Sequence, residues 1–268
     1  MKSSVDLTQA LTVARQAAQA GAEVAMRSRA SRENIHVKEK GTADWVTDVD
    51  FAAQAAVISV IRAAFPDHRI LAEEEGMDVS GDPSSPYQWI VDPLDGTVPY
   101  IHGKNTFGCI VSLRERETIL AAAMILPALE ESFWAQRGGG AYFNGRRLEG
   151  LRATRSIFDA ILCTNQGGHS RGTENVITFQ YPRCASLQNY GCAAAEIGDI
   201  LKGQNDGCFF DGVKLWDIAA GCLLAEEAGG RAINALNDPA NDHGGVRCVI
   251  STKPIFEELC AFVFRKPD

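Results

Sequence analysis

Residues 5–28 carry Leu7, Leu11, Ala14, Ala18, Ala22 and Ala25 at three- and four-residue intervals among polar positions. That spacing predicts an amphipathic helix packed on a core through a stripe of small side chains. Residues 38–44 (Lys-Glu-Lys-Gly-Thr-Ala-Asp) are polar and breaker-rich and predict a loop. Trp45-Val46-Thr47-Asp48-Val49-Asp50 then leads into an alanine-rich helical stretch that stops before Pro66. Arg69-Ile70-Leu71-Ala72 predicts a short strand delivering Glu73-Glu74-Glu75-Gly76, and residues 80–86 a Gly/Pro/Ser-rich loop. Trp89-Ile90-Val91 reads as the end of a buried strand that runs into a turn carrying Asp92 and Asp95. The β-prone runs 107–113, 119–125 and 132–135, parted by polar or Pro-containing breaks, predict an antiparallel meander, with Asn144-Gly145 as a hairpin turn.

From about residue 156 strands and helices alternate: strands at 157–163, 207–210 and 246–250, and helices at 193–201, 218–228 and 255–264. Helices layered on both sides of sheets would bury this content, an α/β (α+β) class of fold. A chain of 268 residues, 46% hydrophobic, can fill one substantial core. We expect one unit over 1–268, with an α+β half to about 150 and an α/β half from about 151.

A net charge of −8 disfavours nucleic acid or an anionic membrane as the main partner, because neither offers counter-charge. The eight cysteines are scattered, without a C-x-x-C pair or zinc-type spacing, and read as reduced core residues. The N-terminus has no signal-like apolar block, and no run reaches the roughly 18 apolar residues of a membrane span, so a cytoplasmic location is expected. His36, His68, His102, His169 and His243 are isolated and read as surface or loop residues. Gly138-Gly139-Gly140 lacks the Gly-Lys-Ser/Thr ending of a phosphate loop.

The acids carry the chemistry. Pro93 fixes φ and Gly96 tolerates conformations closed to other residues, so Asp92 and Asp95 stand in fixed directions on a stiff segment. Two carboxylates that close repel one another unless a cation lies between them, and hard oxygen donors suit Mg²⁺. Asp48 or Asp50 could instead cap the helix that follows, Glu73–Glu75 could be a solvated acidic face, and Asp217 could cap the 218–228 helix.

The run Trp89-Ile90-Val91-Asp92-Pro93-Leu94-Asp95-Gly96-Thr97 resembles the principal metal-binding motif of the inositol monophosphatase family of lithium-sensitive phosphomonoesterases. Leu215-Trp216-Asp217-Ile218-Ala219-Ala220-Gly221 resembles its second motif, and the likeness extends from about residue 5 to about 265. It implies a layered αβαβα sandwich of the inositol monophosphatase and fructose-1,6-bisphosphatase type, a homodimer, and two or three Mg²⁺ ions. By resemblance, Glu73, Asp92 and the Leu94 carbonyl hold one ion, Asp92, Asp95 and Asp217 a second, and a third lies near Glu73, with Glu74 as the neighbour behind. Thr97 and Asp50, with Glu73, would be catalytic, activating the attacking water. Asp95, Gly96, Thr97, Gly191, Cys192, Ala193, Asp211 and Asp217 would face the substrate, Asp211 reading hydroxyl groups of its alcohol.

Three departures from the family pattern bear on that alcohol. Asp211 lies one residue closer to Trp216-Asp217 than the family acid, Gln188 replaces an arginine, and Val98-Pro99-Tyr100 replaces Asn-Phe. The implied activity is hydrolysis of a small polyol phosphate, inositol monophosphate first. Histidinol phosphate, a 3′(2′),5′-bisphosphate nucleotide and a sugar phosphate stay open, as does a regulatory protein that keeps the fold.

Overall fold

The computed structural model describes residues 5–30, 36–41, 44–74, 81–152, 156–165, 183–234 and 246–264. Glu75, Gly76, Ser80, His169 and His243 lie outside them. Helix α1 (Leu7–Ala30) buries Ala10, Ala14, Ala17, Ala18, Ala22 and Ala25. A short hairpin, β1 (Val37–Gly41) with β2 (Asp44–Thr47), leads into α2 (Asp48–Ala64). Then come β3 (Arg69–Ala72), β4 (Tyr87–Asp95), α3 (Thr97–Ile101), β5 (Gly108–Glu115), β6 (Thr118–Leu126), β7 (Glu131–Gln136), β8 (Gly140–Phe143) and β9 (Arg146–Arg147). The second half runs β10 (Ile161–Thr164), β11 (Ser186–Gln188), α4 (Ala193–Leu201), β12 (Gly207–Val213), α5 (Leu215–Glu227), β13 (Arg231–Asn234), β14 (Val246–Ser251) and α6 (Lys253–Val263).

Strands β3 to β9 form a seven-stranded sheet in sequence order, parallel only between β3 and β4. A five-stranded sheet has the order β11-β10-β12-β14-β13. Helices α1 and α2 cover one face of the larger sheet, α4 and α5 lie between the sheets, and α6 covers the outer face of the smaller. This is the five-layer αβαβα arrangement, and the three largest of the four cores follow the layers. Trp89 and Val91 point toward α1 and α2 while Ile90 points to the central layer; Phe210 points centrally while Phe209 faces α6. With both faces covered, a strand loses its polar alternation, which is why these runs read as continuously apolar.

Some expected boundaries move. Of residues 38–44, expected as a loop, 38–41 belong to β1 and Asp44 opens β2, with Lys38 opposite Val46 and Glu39 opposite Trp45, while 42 and 43 lie outside the described residues. A strand with so few apolar residues shows no period of its own and takes its order from the partner's backbone bonds. Residues 157–159 are a single 3-10 turn capped by the Ser156 hydroxyl, so the strand expected from 157 begins at Ile161. Edge strands β11 and β13 were not expected at all. All eight cysteines are free, and six are buried.

His68, expected as a surface or loop residue, is half-buried between Phe65 and Tyr87 at ring separations of 4.6 and 5.0 Å, and its Nδ1 accepts the Trp89 indole N–H at 3.2 Å. Burial holds its pKa below 6.5, against the raising effect of Asp67. The native protein then takes up a proton less readily than the unfolded chain, so this residue's share of stability is lost as pH falls below 6.5. His68→Gln, which keeps an acceptor for Trp89, is expected to flatten the fall of melting temperature on that acid side. An unchanged slope in thermal scans would show that another group causes it.

Candidate active site

Asp92 and Asp95 do not sit in a turn after the strand, as expected, but inside β4 at a bulge. Asp92 pairs with Ile110 and Asp95 with Gly108, so β4 uses one residue more than β5 over the same step. Pro93, which has no N–H to contribute to a ladder, falls where the ladder is interrupted. The bulge buries both carboxylates, which are 2% and 8% exposed. Gly96 follows in a left-handed conformation (φ 82°), and a Cβ there would lie 2.8 Å from the Thr106 carbonyl oxygen. Only glycine fits, and it turns the chain into α3 at Thr97.

A cavity of 690 Å³ opens at this point, lined in part by Glu73, Asp92, Leu94, Asp95, Thr97 and Asp217. Glu73 follows the end of β3 beside β4, because Glu73 N–H donates to the Val91 carbonyl at 3.2 Å. Glu74 turns the other way: its N–H and C=O bond the Gln54 side-chain amide at 2.9 and 2.8 Å. Of the two neighbours, Glu73 is therefore the one on the cavity wall. Asp217 arrives on the helix between the sheets, as the third residue of α5, its Oδ2 accepting Lys214 N–H at 2.7 Å. The first-turn position read from the sequence holds, although the helix starts at Leu215.

These acids crowd. Burial, then the charges of Glu73, Asp95 and Asp217, push the Asp92 pKa well above its usual value. Burial, then Asp95, raises Asp217 to about 7, and Asp92 and Asp217 share a side-chain hydrogen bond. Burial also raises Asp95, against the N–H and S–H donors that favour its charge. A carboxylic acid keeps its proton in such company unless a cation replaces it. Among the described residues no three His, Cys, Asp or Glu side chains already enclose a metal position. The carboxylates are turned onto each other and onto N–H donors: Asp95 accepts Ala194 N–H at 2.6 Å, Ala193 N–H at 3.2 Å and the Cys192 thiol at 3.0 Å. The donor set, four acid side chains and a carbonyl on one wall, has the chemistry of a hard divalent cation site.

Asp50 does cap α2, and does more. Thr47 is the N-cap, and its N–H and hydroxyl both donate to Asp50 Oδ2. The other oxygen, Oδ1, accepts the Thr97 hydroxyl at 3.1 Å, with the Leu94 carbonyl 3.0 Å from the same hydroxyl. A fully buried carboxylate thus reaches the cavity through Thr97.

On the far wall Gly191, Cys192 and Ala193 line the cavity as expected residues, ahead of α4. Asp211 does not line it. Its carboxylate forms a two-pronged pair with Arg247 at 3.1 Å, and its backbone is bound on both sides by the Asn165 amide. Gln188 accepts the Tyr190 hydroxyl. The sequence reading missed Trp45, Lys104, Asn165, Asn189, Tyr190 and Glu196, all of which line the cavity; His102, read as a surface or loop residue, is exposed at the end of α3 on its rim. Only Glu196 left a signal, one of two acids, with Asp199, in the otherwise apolar run 193–201. It is 2% exposed, accepts Tyr190 N–H at 2.7 Å, and burial raises its pKa to about 8.

A model described as the inositol monophosphatase family matches residues 6–265. Nus factor SuhB of Pseudomonas aeruginosa is 34% identical over 226 residues, 82% of this chain and 83% of that protein. Its namesake in Vibrio cholerae is 36% identical over 219 residues, 80% of each. Among solved structures, extragenic suppressor protein suhB from Bartonella henselae aligns at TM-score 0.80 and 29% identity over 94% of this chain and 97% of that one. Inositol monophosphatase from Anabaena (Nostoc) sp. PCC 7120 aligns at TM-score 0.79 and 26% identity over 98% of each.

Proposed function

The chain belongs to the inositol monophosphatase family, and from that premise we propose that it is a Mg²⁺-dependent phosphomonoesterase acting on a small polyol phosphate, inositol monophosphate first. The observation that carries the reading is the crowding of Glu73, Asp92, Asp95 and Asp217 on one cavity wall beside a Thr97–Asp50 pair.

Glu73, Asp92, Asp95, Asp217 and the Leu94 carbonyl would hold two or three ions. When bound, Mg²⁺ supplies the positive charge that lets the acids ionise together, makes a water more acidic, and offsets charge on the phosphoryl and leaving oxygens. The protein's own part is positional. The Thr97 hydroxyl donates to Asp50 Oδ1, which leaves its oxygen free to accept a hydrogen bond from water; as water gives its proton to Thr97, Thr97 passes its own to the Asp50 carboxylate, which ends neutral. The Gly96 and Thr97 N–H groups, at the start of α3, would meet phosphate oxygens, the Gly96 N–H on release from the Asp95 carboxylate. Gly191, Cys192 and Ala193 face the alcohol, and Asp211, tied to Arg247, would act on it only by releasing that pair.

Thr97→Ala should lower kcat about 10²-fold with little change in KM, since it removes the water's partner and leaves the acids intact. A KM effect alone would make Thr97 a substrate contact instead. The overall test is hydrolysis in Mg²⁺ of inositol 1-phosphate, histidinol phosphate, a 3′(2′),5′-bisphosphate nucleotide and a sugar phosphate. The reading includes inhibition by Li⁺, a cytoplasmic setting and a homodimer, which sedimentation of the purified protein would check. None of the described helices is long and apolar enough to cross a membrane.

A second reading, a factor that acts by contact with a partner, is favoured by the name Nus factor that relatives at 34% and 36% identity carry. It would set aside the expectation drawn from net charge alone. Hydrolysis of none of the four substrate classes would favour it.

A further inference from the structure

One turn beyond Asp50, a polar side chain interrupts the apolar face by which α2 packs on α1 and β4. Gln54 is 0% exposed and is followed on that face by Val57, Ile58 and Ile61. Burying an amide there costs stability unless its donor and acceptor are both used, and a leucine would carry no such cost. Both are used, and on a single residue: Gln54 Oε1 accepts the Glu74 N–H at 2.9 Å, and Nε2 donates to the Glu74 carbonyl at 2.8 Å. Two facing residues of an antiparallel ladder make the same exchange, so the side chain does for Glu74 what a neighbouring strand would do. The exchange falls where β3 leaves the sheet. Glu73 N–H still holds to the Val91 carbonyl of β4 at 3.2 Å, and the next N–H, that of Glu74, goes to α2 instead. The planar peptide groups before and after the Glu73 Cα are thus tied to two different elements, which fixes the direction of its Cα–Cβ bond. The same helix holds the other end of the site, because Asp50 meets the Thr97 hydroxyl at 3.1 Å. Asp50 and Gln54 stand about one helical turn apart, so α2 sets Thr97 and Glu73 at a fixed separation.

We propose that Gln54 is a positioning residue: its amide clamps the Glu74 backbone so that Glu73 keeps its place on the cavity wall and can hold a divalent cation together with Asp92. This rests on the metal-dependent reading above for what Glu73 binds. Methionine at 54 has nearly the length and shape of glutamine but no amide. The Glu74 N–H and carbonyl, in a residue that is 1% exposed, would lose both bonds, and the segment would shift to bring them to water, taking the Glu73 carboxylate with it.

Calorimetric titration of Mg²⁺ into protein stripped with EDTA and dialysed reads the effect without substrate. Gln54→Met is expected to raise the apparent dissociation constant at least about tenfold over wild type, the range for residues that orient a metal ligand from behind. Val57→Ala damages the same buried face of α2 in the next turn but leaves Glu74 its bonds, so it should lower the melting temperature and bind Mg²⁺ as wild type does. Gln54→Met binding as tightly as wild type overturns the proposal. So does an equal loss of affinity in both variants, because general damage to α2 would then be the cause. Should Gln54→Met not fold, Gln54→Ala, which leaves room for water beside Glu74, is read by the same criterion. A wild type that takes up no Mg²⁺ defeats the metal-dependent reading and this role with it, whereas equal binding by wild type and Gln54→Met defeats this role alone.

Discussion

Replacing Asp92 by Asn is expected to lower kcat/KM at least roughly 10³-fold and, in EDTA, to raise the melting temperature by about 2–4 °C. The two effects have one cause. Asp92 is 2% exposed and faces the charges of Glu73, Asp95 and Asp217. Asparagine keeps the shape and keeps an oxygen to accept the Leu94 N–H, now 3.0 Å from Asp92 Oδ1. It removes the cost of keeping an acid, charged or protonated, among these neighbours, worth about 1 kcal/mol to the fold at neutral pH on the scale of a single substitution. The acid's charge is what a cation requires, so the variant loses activity while gaining stability. Steady-state rates and thermal scans on one preparation read both quantities. Retained hydrolysis would remove Asp92 from the metal ligands, and a lowered melting temperature would refute the crowding argument.

Stability in EDTA is expected to fall as pH rises from 4 toward 8, opposite to the trend of a protein held by ionised carboxylates, and saturating Mg²⁺ is expected to remove most of that fall. Asp92, Asp95 and Asp217 have folded pKa values above their unfolded ones, Asp217 reaching about 7 from 3.8. The native protein therefore holds these protons more tightly than the unfolded chain. Its advantage is complete below 3.8 and is lost as pH rises through the folded values. For Asp217 the separation corresponds to a loss of order 4 kcal/mol. Cations take the place of protons, so Mg²⁺ at 100 times its dissociation constant should return about 2.7 kcal/mol, or several degrees in a chain of this size. A shallower fall should persist in Mg²⁺ through Glu196, whose pKa of about 8 comes mainly from burial. His68 works in the reverse sense below pH 6.5. Melting temperatures that rise with pH in EDTA, or that ignore Mg²⁺, would mean that these acids do not share a cation site.

The sequence by itself determined whatever is written locally. The alanine stripe of α1, the apolar runs of β4 to β6, the start of α4 at Ala193, and the acid in the first turn of α5 all follow from side-chain period and capping chemistry. The two motifs add the family and its five-layer fold. Only the tertiary structure decided what depends on partners far along the chain. It closed β1 on β2, added β11 and β13 by backbone pairing, and drew Asp92 and Asp95 into a bulge instead of a turn. It also chose Glu73 over Glu74 for the cavity wall, paired Asp211 with Arg247 across 36 residues, and set the outward face of β2 beside the acids. The physical reason is the range of the forces. Periodicity and caps act within a turn or two of the residue that carries them. The direction of a buried carboxylate or an exposed indole is set by donors, charges and surfaces that meet it only when the sheets have come together.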